Sequence, residues 1–250
     1  MLYDKKVRDE LRKTTDFKKS NEVWNRLKLN HGFVVGYLMR LIEEGECKTY
    51  KEWENYYLNS GVKRLQLIER LPTNIKKKLN SFNKCVSREY YDYNLLYGRT
   101  EAELLTIAKE LDKELHVGLE LAFNYVYIRV IDETWIGYSR ECITLERLNK
   151  YLKNHGLTAE KANFYIDVNY GVDFEIKRGN KIVAGVQLKS INYYENKEAL
   201  SEIQSINKKK NNMYEIEYKA PVIYLYVDKH NYPINLNDIY FNVIKKKKRR

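Results

Sequence analysis

The sequence is poor in the residues that build several familiar kinds of site: three prolines, three cysteines and four histidines in 250 residues. Cys47, Cys85 and Cys142 are single, odd in number and far apart, which excludes a CxxC zinc site and argues against a disulfide framework. His31, His116, His155 and His230 are isolated, with no HxxxH spacing and no Ser-His-Asp pattern, so histidine-metal chemistry is disfavoured. No Gly-rich phosphate loop is present, which leaves nucleotide hydrolysis without support. No window approaches the roughly 20 apolar residues that a membrane span needs. The opening MLYDKKVRDELRK lacks the apolar core of a signal peptide. The expectation is a cytoplasmic protein that does not engage a membrane.

Positive charge and aromatic rings are plentiful instead. Forty-five Lys and Arg against 34 Asp and Glu leave a net charge of +11, and 32% of the residues are charged. This is a globular composition, long enough to bury a sizeable core. A surplus of that size favours polyanions through counterion release. Abundant Lys, Asn, Ile and Tyr also follow from an AT-rich genome, so charge alone does not decide for nucleic acid.

Residues 1–115 read as helical. Phe33, Val34, Tyr37, Leu38, Leu41 and Ile42 recur at helical spacing before Gly45. Trp53, Tyr56 and Tyr57 form a second helical segment, in which core packing outweighs base stacking as their expected use. Leu65, Leu67, Ile68 and Leu71 form a third, stopped by Pro72. Thr100 and Glu103 form a capping box for a fourth, which carries Leu104, Leu105, Ile107, Ala108 and Leu111. From Leu119 to Leu152 the period stays mostly helical, although VYIRVI also fits a strand. The texture changes after Gly156. Residues 164–168, 172–176, 182–190 and 221–227 are short, β-branched and aromatic, and read as strands. A helix through Leu200, Ile203 and Ile206 lies between the last two. The terminal KKKKRR reads as a solvated tail. The expected organisation is a helical region over 1–115, carrying recognition elements, and an α/β core over 116–250.

The chemistry is carried by GVDFEIKRGNKIVAGVQLKS, residues 171–190. Alternate side chains of a strand share a face, so Val172, Phe174 and Ile176 oppose Asp173, Glu175 and Lys177. On the next strand Ile182, Ala184, Val186 and Leu188 oppose Gln187 and Lys189. Arg178, Gly179 and Asn180 make the turn. A plain two-residue loop would set Asp173 opposite Val186, sending Asp173 and Gln187 to different faces. Their convergence requires an odd loop or a bulge that pairs Asp173 with Gln187. Phosphodiester hydrolysis needs a hard cation, for which a carboxylate and an amide carbonyl are suitable ligands. A lysine two residues beyond the second ligand shares its face and can steady developing negative charge. A rival set, Asp167, Glu175 and Lys177, has similar spacing, but Lys177 abuts the turn whereas Lys189 closes a long apolar strand. Beside the preferred set, Asp167 is a candidate supporting carboxylate.

An Asp on one strand followed by (D/E/Q)-x-K on the next, with a helix and a further strand behind, resembles the PD-(D/E)XK nuclease superfamily, which includes most type II restriction endonucleases. The resemblance covers residues 134–227. TWIGYSRE at 134–141 and YGRT at 97–100 are further similar to the MjaI-like group of restriction enzymes. The resemblance implies an α/β (mixed α+β) restriction-endonuclease-like core, a mixed β-sheet flanked by helices, below a helix-rich N-terminal region. It implies Mg²⁺-dependent cleavage of double-stranded DNA at a short specific sequence, leaving 5′-phosphates. It also implies a homodimer acting on a palindrome and a cognate DNA methyltransferase in the same system. The catalytic set it implies is Asp173, Gln187 and Lys189, with Glu141, 32 residues before Asp173, from a preceding helix. Asp173, Gln187 and Glu141 would be the metal ligands. Two positions depart from the pattern: Val172 stands where proline is usual, and Gln187 replaces the acid, removing one negative charge. A structure-specific nuclease with the same core, or a catalytically silent DNA binder, are the alternative readings.

Overall fold

Asp4 and Thr14 open the first two helices, each accepting from the backbone N–H three residues on, Val7 and Phe17. These side-chain caps satisfy donors that a helix start leaves orphaned. The computed structural model describes residues 2–27, 38–39, 41–59, 101–191 and 201–245. The chain divides into two compact units, Met1–Tyr138 and Ser139–Arg250. Three of the sequence-based expectations, for Phe33 to Tyr37, for the helix at Leu65–Leu71 and for the Thr100 cap, fall outside the described residues.

The first unit is helical. It contains α1 (Lys5–Leu11), α2 (Thr15–Arg26), α3 (residues 50–59), α4 (Glu101–Leu115) and α5 (Leu119–Tyr127). Leu104, Ile107, Ala108 and Leu111 form the buried stripe of α4, as their spacing predicts. Trp53 and Tyr57 are fully buried and pack edge to face at 5.4 Å, and the Trp53 indole N–H donates to the Ile131 carbonyl at 3.0 Å. VYIRVI is helix rather than strand. It leaves α5 and enters a π-helical turn at Ile128–Asp132, where Tyr125 to Ile128, Val130 and Ile131 are all buried. A helix buried all round loses the amphipathic period, so an apolar run of this length fits either structure. Helix α6 (Glu133–Lys153) follows, and the boundary between the units falls within it.

The second unit is built on a four-stranded sheet in the order β1-β2-β3-β4. β1 is Thr158–Lys161, β2 Phe174–Arg178, β3 Lys181–Ser190 and β4 Val222–Val227. The first three strands are antiparallel neighbours, while β4 runs parallel to β3, making the sheet mixed. Helix α8 (Ser201–Tyr218) is the crossover that a parallel pair needs. A short α9 (Leu236–Ile239) follows β4. Phe174, Ile176, Ala184, Val186 and Leu225 pack with Leu148 and Leu152 of α6 and with Ile239. Val172, Tyr170, Ile166 and Tyr214 form a second cluster, with Ile182 packed against it, so Val172 and Ile182 part from the strand neighbours with which plain alternation groups them. The fold is thus the mixed sheet flanked by helices expected for a restriction-endonuclease-like core.

Residues 164–168 correct the sequence reading. They begin α7 (Phe164–Tyr170), not a strand. Asn163 accepts from the Ile166 N–H as N-cap, and Gly171 closes the helix in the left-handed region at φ 67°. Ile166 and Tyr170 are buried four residues apart while Tyr165 is exposed, a helical rather than alternating pattern. The aromatic content suggested a strand, but the two caps decide.

Candidate active site

Arg178 pairs with Lys181 across Gly179-Asn180, yet Phe174 pairs with Val186. The difference is a bulge: Ile176 faces Ala184 and Lys177 faces Ile182, so Val183 is the extra residue on β3. The register that would otherwise have parted Asp173 from Gln187 is shifted by one. Asp173 N–H donates to the Val186 carbonyl at 2.8 Å and the Ala162 N–H donates to the Asp173 carbonyl at 2.9 Å. The Asp173 backbone is therefore held from β3 and from the end of β1. The Leu188 N–H, on β3, donates to Asp173 Oδ2 at 2.6 Å.

Around Asp173 lies a set of like charges. Asp173 and Lys189 are half-buried, and Asp167 lies on α7. Burial, then the charges of Asp167 and Glu141, push the Asp173 carboxyl well above the usual carboxylate range, against the opposing pull of Lys189 and the Leu188 N–H. Burial of the carboxyl first and the charge of Glu141 second push Asp167 up to about 6, with Lys161, Lys210 and Lys189 pulling the other way. Burial lowers the Lys189 ammonium, while Asp173 and Asp167 partly restore it. Glu141, on α6, forms an ion pair with Lys161 at 3.0 Å. Lys210, on α8, donates to the Val168 carbonyl at 2.7 Å. Three acids and three lysines from β1, α6, α7, α8, and the β2–β3 hairpin thus share one electrostatic neighbourhood.

Gln187 meets another amide. It is buried at 4% exposure, and its side-chain amide meets Asn211 of α8 at 3.1 Å. The rival set does not assemble. Lys177 pairs with Glu160 across β1 at 2.7 Å, and Glu175 is buried beneath the Tyr214 hydroxyl, which donates to it at 2.8 Å. Of that set only Asp167 joins the neighbourhood of Asp173. Sequence reasoning missed Asn211, Lys161 and Lys210. Asn211 carries no motif, and Lys210 is one of three consecutive lysines, so no local signal marks either. Among the described residues, no three Asp, Glu, His or Cys side chains form a ready-made metal cage.

The pattern of the MjaI restriction endonuclease family matches residues 20–236, well over half of the chain. The chain belongs to that family. Membership makes it a type II restriction endonuclease, a site-specific deoxyribonuclease with DNA as its substrate. No curated protein and no solved structure matches it. Among the described residues, no helix is long and apolar enough to cross a membrane.

Proposed function

We propose that the chain hydrolyses phosphodiester bonds of double-stranded DNA with Mg²⁺ as cofactor, leaving 5′-phosphates, through a PD-(D/E)XK centre. In this centre Asp173 is the first acid of the pattern, Gln187 takes the place of the second acid, and Lys189 is the lysine. The observation that carries the reading is the electrostatic interaction of Asp173 with Lys189, Asp167 and Glu141.

The donors fit such an ion. Carboxylates and an amide carbonyl are hard oxygen ligands, and acids that raise one another's pKa have too little positive charge nearby. Asp173, Gln187 and Glu141 would hold it, with Asp167 as an additional carboxylate. Mg²⁺ commonly takes only one or two carboxylates and completes its shell with water and substrate phosphate, so a full protein cage is not required. When bound, the ion supplies Lewis-acid polarisation of the phosphate and a more acidic water.

The protein's own groups do the rest. Lys189 brings its ammonium to the acids' side of β3 and stabilises negative charge that builds on the phosphate oxygens. Its lowered pKa brings proton exchange with the attacking water closer to neutral pH. Lys161 and Lys210 add positive charge for the DNA backbone. Residues 1–115 supply recognition elements and 116–250 the nuclease core. A palindromic target calls for a two-fold homodimer, and a cognate methyltransferase protects the host sequence in the cytoplasm.

The test is digestion of unmethylated phage-sized DNA with Mg²⁺ and with EDTA, comparing wild type with Lys189→Ala. Discrete fragments that need Mg²⁺ and vanish in the variant are expected. Cleavage unchanged by Lys189→Ala would remove this centre from the reaction.

A further inference from the structure

Gln187 and Asn211 pose a question of hydrogen-bond direction, since either amide can be turned end for end. With Asn211 Nδ2 facing Gln187 Oε1 at 3.1 Å and Tyr224 Oη at 3.0 Å, the Asn211 oxygen is left against the backbone carbonyls of Tyr170 and Asn207. Acceptor would then face acceptor at a residue only 4% exposed, an arrangement that buried polar groups avoid. Turned the other way, Asn211 Nδ2 donates to Tyr170 O at 2.8 Å and to Asn207 O at 3.2 Å. Its Oδ1 then accepts from the Tyr224 hydroxyl at 3.0 Å and needs a donor from Gln187 at 3.1 Å. Every Asn211 group is satisfied in this arrangement.

The consequence passes to Gln187. Its NH₂ must face Asn211, so its carbonyl oxygen occupies the opposite terminus, over Gly171. That terminus lies 2.9 Å from where a β-carbon on Gly171 would stand, so glycine leaves the room it needs. Gly171 leads by two residues into Asp173, whose N–H donates to the carbonyl of Val186, the residue before Gln187, at 2.8 Å. We propose that Asn211 is a positioning residue of the reaction centre, holding the Gln187 amide with its NH₂ toward α8 and its carbonyl oxygen on the Gly171–Asp173 side as a donor for the divalent cation. This rests on the proposed metal centre. It also accounts for glutamine at a position where the resemblance leads one to expect an acid, because a carboxylate has no proton to give the Asn211 oxygen. Tyr224 and the two backbone carbonyls fix Asn211, Asn211 fixes Gln187, and the choice of amide over acid follows.

The test is Mn²⁺ binding by the full-length chain, followed through the electron paramagnetic resonance signal of free Mn²⁺, with thermal unfolding of each variant alongside. Outer-shell substitutions at metal sites typically weaken affinity about 10- to 100-fold. Asn211→Ala and Gln187→Ala are expected to weaken Mn²⁺ binding by similar factors in that range, and the double variant by no more than either alone. Factors that multiply in the double variant would overturn the relay. The isosteric Gln187→Glu is the second arm, because it keeps size and shape. The relay expects no gain in affinity from the added charge, whereas a tenfold tightening would overturn it. If wild type shows no Mn²⁺ binding that Asp173→Ala removes, the metal centre falls and takes the relay with it. If Asp173-dependent binding is present while Asn211→Ala and Gln187→Ala bind as wild type, the relay alone falls.

Discussion

The Leu188 amide reaches across the hairpin and donates to Asp173 Oδ2 at 2.6 Å. This backbone hydrogen bond favours the ionised form of Asp173, and it works against burial and two neighbouring acids. The acid is held in position by a donor yet disfavoured as an anion, the condition of a group waiting for a cation.

Asp173→Asn separates these two effects. An asparagine oxygen can still accept from Leu188, while the charge that burial penalises is gone. The expected result is a protein that melts at the same or a higher temperature but has lost at least about 10²-fold in cleavage rate. Thermal melts in EDTA paired with plasmid cleavage in Mg²⁺ measure both. A variant that melts lower than wild type would show that the charge conflict at Asp173 is not what the fold bears.

Asp167 gives the pH dependence. Its carboxyl is pushed up to about 6 from an ordinary 3.8, so the folded state holds its proton more tightly than the unfolded chain. The stability this provides is fully present below about 4 and is lost as pH rises through about 6. Asp173, raised by the same causes, acts in the same direction. Without divalent ions, the melting temperature contribution of this site should therefore fall between pH 4.5 and 7, and Asp167→Asn should flatten that fall. Because a cation needs the acids deprotonated, added Mg²⁺ should raise the melting temperature more at pH 7.5 than at pH 5. Equal Mg²⁺ stabilisation at both pH values would argue that the ion binds elsewhere.

The hairpin was the most legible part of the molecule, because strand parity is a local property. Alternation separated Phe174 and Ile176 from Asp173, and the apolar length of β3 separated Lys189 from Lys177. Even the bulge could be required in advance, since without it Asp173 and Gln187 part company. What stayed hidden depends on partners far apart in sequence. Asn211 meets Gln187 from 24 residues away, and nothing in its neighbours announces the contact. β1, TAEK, buries only Ala159 and therefore shows no alternation of apolar residues. In residues 164–170 the aromatic content suggested a strand although Asn163 and Gly171 already bracketed a helix. There the capping signals were present, and β propensity, which depends heavily on context, was given too much weight.

Lys177 tests the rejected set. Its ammonium is spent on Glu160, which is well exposed, and an ion pair of that kind contributes about 0–1 kcal/mol. Lys177→Ala should therefore cleave DNA as wild type does and unfold within about 1 kcal/mol of it. Cleavage lost in Lys177→Ala with stability preserved would move the reaction centre one strand turn away and reopen the case for Glu175.

The helical unit has its own buried charge, and it makes the sharpest stability prediction. Asp132, at the end of the π-helical turn, is 4% exposed and accepts from Arg8 Nε at 3.1 Å, Arg12 Nη2 at 3.1 Å and the Tyr50 hydroxyl at 2.6 Å. Arg8 is itself buried and lies over the Tyr127 ring at 5.0 Å. One carboxylate thus ties α1 to residue 50 and to the turn, as the counter-charge of Arg8 and one of two acids paired with Arg12. Removing it leaves Arg8 buried without its counter-charge, which costs more than the pair was worth when intact. Asp132→Ala should lose about 3–5 kcal/mol in denaturant unfolding. Tyr50→Phe, which deletes one neutral donor to a carboxylate with three other hydrogen bonds, should lose only about 1–2 kcal/mol. The ordering is what matters: if Tyr50→Phe proved as damaging as Asp132→Ala, the network would be held by the hydroxyl, and the arginines would be no more than its neighbours.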